Sequence, residues 1–163
     1  MNGALQRRIR RVLLDRYGIR IVRVKEVRRG GITDEELLCR MRNSMETKRL
    51  YLDRNYSIVK LATEIGSNRS YVTRALSSQG MTFHDFVNSF RIGYAIELLG
   101  EPRNAALSVE EIALSCGFAS ERTMNYYLRR NMGLTISSLR RLVTKKRMAG
   151  EPVILSDIML KSV

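Results

Sequence analysis

Apolar residues recur at three- and four-residue spacing along most of the chain, and no stretch alternates strictly for long enough to build a sandwich or barrel. Leu5, Ile9, Val12 and Leu13 mark a short amphipathic helix that Gly18 can end; Ile19 to Val27 alternates imperfectly up to the break at Gly30-Gly31. Thr33 with Glu36 reads as a capping box. It opens a helix of about twenty residues with Leu37, Leu38, Met41, Met45, Leu50 and Leu52 on one side. Short helices with tight joints follow, from Ser57 to Ile65 and from Arg69 to Gln79. Thr82 and Asp85 form a second box before a longer helix through Leu99, whose stripe of Phe83, Phe86, Val87, Phe90, Tyr94 and Leu98 places it centrally in the core. Gly100 and Pro102 stop it. Ser108 with Glu111 starts the next helix, to Cys116, and others run from Ser120 to Asn131 and, past Gly133, from Thr135 to Val143. With only two prolines in 163 residues, the prediction is an all-α protein.

Two segments of this pattern repeat. Ser57-Ile-Val-Lys-Leu61-Ala62-Thr-Glu-Ile65-Gly66 matches Ser108-Val-Glu-Glu-Ile112-Ala113-Leu-Ser-Cys116-Gly117. In each, a small alanine leaves room for a second helix to cross closely, and a glycine four residues later suits a left-handed turn. Leu61, Ile65, Ile112 and Cys116 are expected to face the core between the helices. Beyond each turn lies a candidate recognition helix. Val72 and Leu76 supply the buried side of the first, leaving Asn68, Arg69, Ser70, Thr73 and Arg74 outward; Met124 and Leu128 do so in the second, leaving Ser120, Glu121, Arg122, Asn125 and Tyr126 outward.

Charge sharpens this picture. The 29 basic residues against 16 acidic give a net charge of +13, which attracts polyanions and releases their counterions on contact. Arginine can bridge the two acceptors of guanine, while Asn and Thr suit adenine edges and the thymine methyl. A single alanine-to-glycine match is a weak signal; two in register around a long apolar helix are far more specific.

The run from Glu46 to Leu142, more than half of the chain, resembles the DNA-binding domain of AraC/XylS transcription regulators. The resemblance rests on Phe90-Arg91-Ile92-Gly93-Tyr94-Ala95-Ile96-Glu97-Leu98-Leu99, on the Ser108 to Phe118 segment, on Gly133-Leu134-Thr135 and on Arg140. It implies seven helices: two helix-turn-helix subdomains (first motif about 57–79, second about 108–131) joined by a long linker helix at 83–99, within a domain spanning 33–143. A basic N-terminal extension (1–32) and a C-terminal tail (144–163) flank it. The recognition helices would enter successive major-groove segments about 34 Å apart. Carried over by position, Ser70, Thr73 and Arg74 in the first motif and Arg122, Asn125 and Tyr126 in the second are the base-reading candidates. Asn68, Arg69, Ser120, Arg91, Arg129, Arg130 and Arg140 fall to the DNA backbone, Arg91 alternatively to a structural contact in the linker helix. The sequence departs from the family's pattern at Thr123, Met124 and Leu128, where aromatic residues are usual, and at Ile136, where a proline is usual. The departures imply a second motif that packs less firmly or binds DNA more weakly.

The resemblance implies a sequence-specific transcription regulator binding double-stranded DNA, with activation and a contact to RNA polymerase expected because the family consists mostly of activators. The alternative is a non-specific nucleic-acid-binding or protein-interaction module that keeps the fold without base readout. Family members commonly carry a signalling domain ahead of this part, for which the leading residues leave no room. The chain thus resembles a standalone regulator or a fragment of a larger one.

Catalysis finds no support. Glu35-Glu36 and Glu110-Glu111 sit in first turns of helices, where acids favour the dipole; His84 is the sole histidine; Gly30-Gly31 lacks a phosphate-loop spacing. No cofactor or metal is expected. Cys39 and Cys116 are too few for a zinc site or disulfide framework and are expected to be buried thiols in a reducing bacterial cytoplasm, near the nucleoid. The longest apolar run of the N-terminus, Val12-Leu13-Leu14, is too short for a signal peptide or a span, so no membrane insertion is expected. The basic N-terminal helix could pack on the domain, contact DNA or lie on a membrane surface.

Overall fold

The computed structural model describes residues 32–151, so the expectations for residues 1–31 and 152–163 lie outside the described residues. Seven α-helices and no strand occur among them. They are α1 (Asp34–Lys48), α2 (Ile58–Glu64), α3 (Arg69–Ser77), α4 (Phe83–Gly100), α5 (Val109–Ser115), α6 (Glu121–Met132) and α7 (Ile136–Met148). The chain divides into two compact units between Arg91 and Ile92, inside the unbroken helix α4.

In the first unit, α1 and α2 each pack against α3. Leu37, Leu38, Met41 and Met45 of α1, Leu61 and Ala62 of α2, and Val72, Ala75 and Leu76 of α3 are buried, as are Phe86, Val87 and Phe90 of α4. Tyr51 stacks on Phe90 with ring centres 5.8 Å apart, and Phe86 meets Phe90 edge-on at 5.1 Å. In the second unit, α6 packs against α5 and α7. Ile92, Ala95, Ile112, Ala113, Cys116, Phe118, Met124, Leu128, Ile136, Leu139 and Val143 form one core, all but wholly withdrawn from solvent.

Caps set the boundaries. Ser57, Asn68, Ser108, Ser120 and Thr135 each accept a hydrogen bond from the backbone N–H three residues on, which satisfies an orphan donor of the helix start. Ser108 and Glu111 close a full capping box, and Thr82 and Asp85 bond reciprocally in the same way. At Thr33 only half of the expected box forms, because Glu36 turns instead to Arg40, one turn further on.

Three expectations need correction. The first helix stops at Lys48 rather than running to Leu52, since Arg49 adopts a left-handed conformation (φ 49°) and Leu50–Leu52 form a separate 3₁₀ turn. The last helix continues past Val143 to Met148, carrying Lys145, Lys146 and Arg147 in its final turn, where cations favour the dipole. Cys39 is exposed, because the face bearing Leu37, Leu38, Met41 and Met45 leaves it on the other side; Cys116 is buried. Met124 and Leu128 of the second motif, where aromatic residues are usual in the family, are fully buried.

Candidate nucleic-acid interface

Each helix pair turns by the same device. At the end of α2, the Ser67 N–H donates to the Ala62 carbonyl (2.8 Å) and the Gly66 N–H to Thr63 (3.2 Å). At the end of α5, Phe118 donates to Ala113 and Gly117 to Leu114, both at 3.0 Å. This double closure of a helix end requires a left-handed residue, and Gly66 (φ 65°) and Gly117 (φ 83°) supply it without a Cβ penalty. The four-residue alanine-to-glycine spacing follows, since the alanine carbonyl is the acceptor that the turn closes upon. The second turn then takes one residue more before its cap, Ser120, than the first takes before Asn68.

Aligned from their caps, the two recognition helices place Arg69 against Glu121, Ser70 against Arg122, Thr73 against Asn125 and Arg74 against Tyr126. On α3, Arg69, Ser70, Tyr71, Thr73 and Arg74 are all exposed. Tyr71, at 50% exposure, belongs to this face and was missed by the periodicity, which treats an aromatic ring as core. Arg69 stands in a first helical turn, where the dipole disfavours a cation, so it adds nothing to helix stability and suits a phosphate. The Arg74 guanidinium lies 4.9 Å over the Tyr71 ring and donates from Nε and Nη2 to Asp34 Oδ1 (3.0 and 2.8 Å). The Asp34 hydrogen bond and charge push Arg74 still further above the ordinary arginine range, which keeps it cationic.

On α6, Arg122, Tyr126, Arg129 and Arg130 are exposed, and with Glu110, Ser120, Glu121 and Asn125 they line one open concavity. Asn125, a base-reading candidate, is engaged within the protein. Its Oδ1 accepts the N–H of Ile136 at 2.8 Å, and its Nδ2 donates to Glu121. Ile136 is the first residue of α7 and fully buried, so its N–H needs an acceptor that a proline there would not.

Two backbone candidates are likewise claimed by the protein itself. Arg91 donates to the carbonyls of Tyr51 (2.7 Å) and Asp53 (3.0 Å) and to Asn88, tying the loop after α1 to α4. Arg140 donates to the carbonyl of Leu107, fixing the approach to α5. Both arginines thus make structural contacts within their own unit. Asn68 and Ser120 spend a side-chain oxygen on their own helix starts. Among the described residues no helix is long and apolar enough to cross a membrane, and no group of three or more His, Cys, Asp or Glu could hold a metal ion.

Two Schellman-closed helix pairs, each presenting an exposed polar recognition helix, define a tandem helix-turn-helix protein. A family model described as a helix-turn-helix domain matches residues 61–142, about half of the chain. This chain belongs to that AraC-type helix-turn-helix family of DNA-binding transcription regulators. Among curated proteins it is similar to the TCP pilus virulence regulatory protein of Vibrio cholerae serotype O1, in both the classical Ogawa and El Tor Inaba strains, at 32% identity over 69 residues. That match covers 42% of this chain and 24% of the relative, so the chain spans about a quarter of the regulators it matches. No solved structure matches the chain.

Proposed function

We propose that this protein is a sequence-specific regulator of transcription that binds double-stranded DNA through both motifs, reading bases chiefly with α3 and gripping the backbone chiefly with α6. The observation that carries this reading is the contrast between the two recognition faces. Ser70, Thr73 and Arg74 stand exposed on a helix with no acidic residue of its own, whereas α6 offers arginines beside Glu121 and Glu110, with Asn125 withdrawn. Arg69, Arg122, Arg129 and Arg130, with Tyr126 at 66% exposure, suit phosphate and sugar contacts, which position a protein without specifying sequence. The relatives' name, a regulatory protein, supports a regulatory role, and the family's habit supports activation through RNA polymerase in the cytoplasm.

A mobility-shift titration against competitor DNA tests the proposal. Binding to a selected site should survive a large excess of unrelated duplex and fall with added salt. A second reading, a non-specific nucleic-acid binder, is favoured by the net charge of +13. It requires equal affinity for every sequence, and that result would overturn the first.

A further inference from the structure

We infer that Asp34 is a specificity-determining positioning residue: it holds Arg74 in the orientation from which that arginine reads one base pair. The inference deepens the proposed function and rests on it. Asp34 lies outside the recognition helix, in the first turn of α1, and reaches it because α1 packs against α3. Arg74 gives two of its five N–H donors, from Nε and Nη2, to a single Asp34 oxygen, while the Tyr71 ring supports the guanidinium face. Held on one edge and one face, the planar fork has its Nη1–Nη2 end left over. Nη2 has spent one N–H on Asp34 and keeps the other, which with Nη1 gives the two-donor geometry that matches O6 and N7 of guanine.

Stability does not account for the contact. Arg74 is 57% exposed and Asp34 31%, and exposed ion pairs contribute little against the entropy of fixing an arginine. A carboxylate beside a DNA-facing helix also repels phosphates, so it weakens binding to all sequences alike. What it supplies is preorganisation: an arginine already ordered loses less freedom on contacting the right base, and it cannot swing to a neighbouring phosphate as readily. Asp34 therefore lowers general affinity and raises discrimination, a combination that neither a fold-stabilising residue nor a simple surface charge produces.

The test is selection from a duplex DNA library with a randomised core, followed by sequencing and by titration of selected and scrambled duplexes. Asp34→Asn should lose enrichment at one base pair by about fivefold or more, the same pair that Arg74→Ala loses, while scrambled duplex binds equally well or more tightly. Asp34→Ser should do the same, and Asp34→Asn in the Arg74→Ala background should change the base profile no further. Glu35→Gln removes the same charge from the same helical turn and should leave the profile intact, which separates positioning from charge. Thermal unfolding of each variant excludes loss of fold. A base profile unaltered in both Asp34 variants, or altered equally by Glu35→Gln, overturns the inference while leaving the parent function standing. A wild-type protein that enriches no sequence overturns both.

Discussion

The two helix-turn-helix motifs share a scaffold and differ in the face it presents. Ser57 and Ser108 cap the first helices, Ala62 and Ala113 are buried at matching positions, and Gly66 and Gly117 close their helix ends by the same pair of hydrogen bonds. Past the turn the buried positions still match, but the outward ones differ. The equivalent of Arg69 is Glu121, the equivalent of Arg74 is Tyr126, and the amide that Thr73's counterpart Asn125 could have offered to DNA holds the start of α7 instead. Backbone geometry tightly constrains the turn, so both copies keep it; the outward positions bear no such constraint and differ in residue type.

Equivalence of the scaffolds is the feature whose loss would be largest. Leu76 (1% exposed) and Leu128 (0%) occupy matching core positions. Truncating either to alanine should cost about 2–5 kcal/mol of stability, measured by urea unfolding. A second-motif variant that costs nothing would show that α6 is not held as α3 is.

Next comes the Asn125–Ile136 contact. Asn125→Ala should destabilise by about 1–3 kcal/mol, because it strands a buried N–H. The loss should largely vanish in an Ile136→Pro background, where that donor is gone and proline suits the first helical position. Base preference should not move; an altered preference would return Asn125 to the reading surface.

The smallest effect distinguishes the motifs by acid. Glu111 is held below the ordinary glutamate range, first by the Ser108 N–H that its carboxylate accepts and then by the Ser108 hydroxyl. A group with its folded pKa lowered contributes stability above its unfolded value and loses it as the pH falls through the folded one. Thermal unfolding between neutral and acidic pH should therefore show the second motif weakening below the usual carboxylate range, and Glu111→Ala should remove part of that slope. The first motif has Lys60 at the matching position and no such box. An unchanged slope in Glu111→Ala would break this distinction.

Much of the fold was legible because it is local. Caps such as Ser108 with Glu111, apolar spacing such as Phe86 and Phe90, and the glycines of the two turns each act within a few residues. The missed boundary at Arg49 has a physical reason: a left-handed arginine leaves no mark in the sequence as a glycine would. The site was read less fully. Exposure of Ser70, Thr73, Arg122 and Tyr126 follows from helical period, and the structure agrees. The commitments of Arg74 to Asp34, Arg91 to Tyr51 and Asp53, Arg140 to Leu107 and Asn125 to Ile136 are contacts between separate elements, which no local pattern encodes.

The proposed division of labour between the motifs is tested most directly by two triple-alanine variants, one at Ser70, Thr73 and Arg74, the other at Arg122, Tyr126 and Arg129, each titrated on selected and scrambled duplexes across a salt series. The first should lose most of its preference for the selected site while keeping general affinity and salt slope. The second should weaken on every sequence alike, with the salt slope reduced by about two for the two lost phosphate contacts and the preference retained. An exchange of these two outcomes, or equal loss of preference in both variants, would contradict the account.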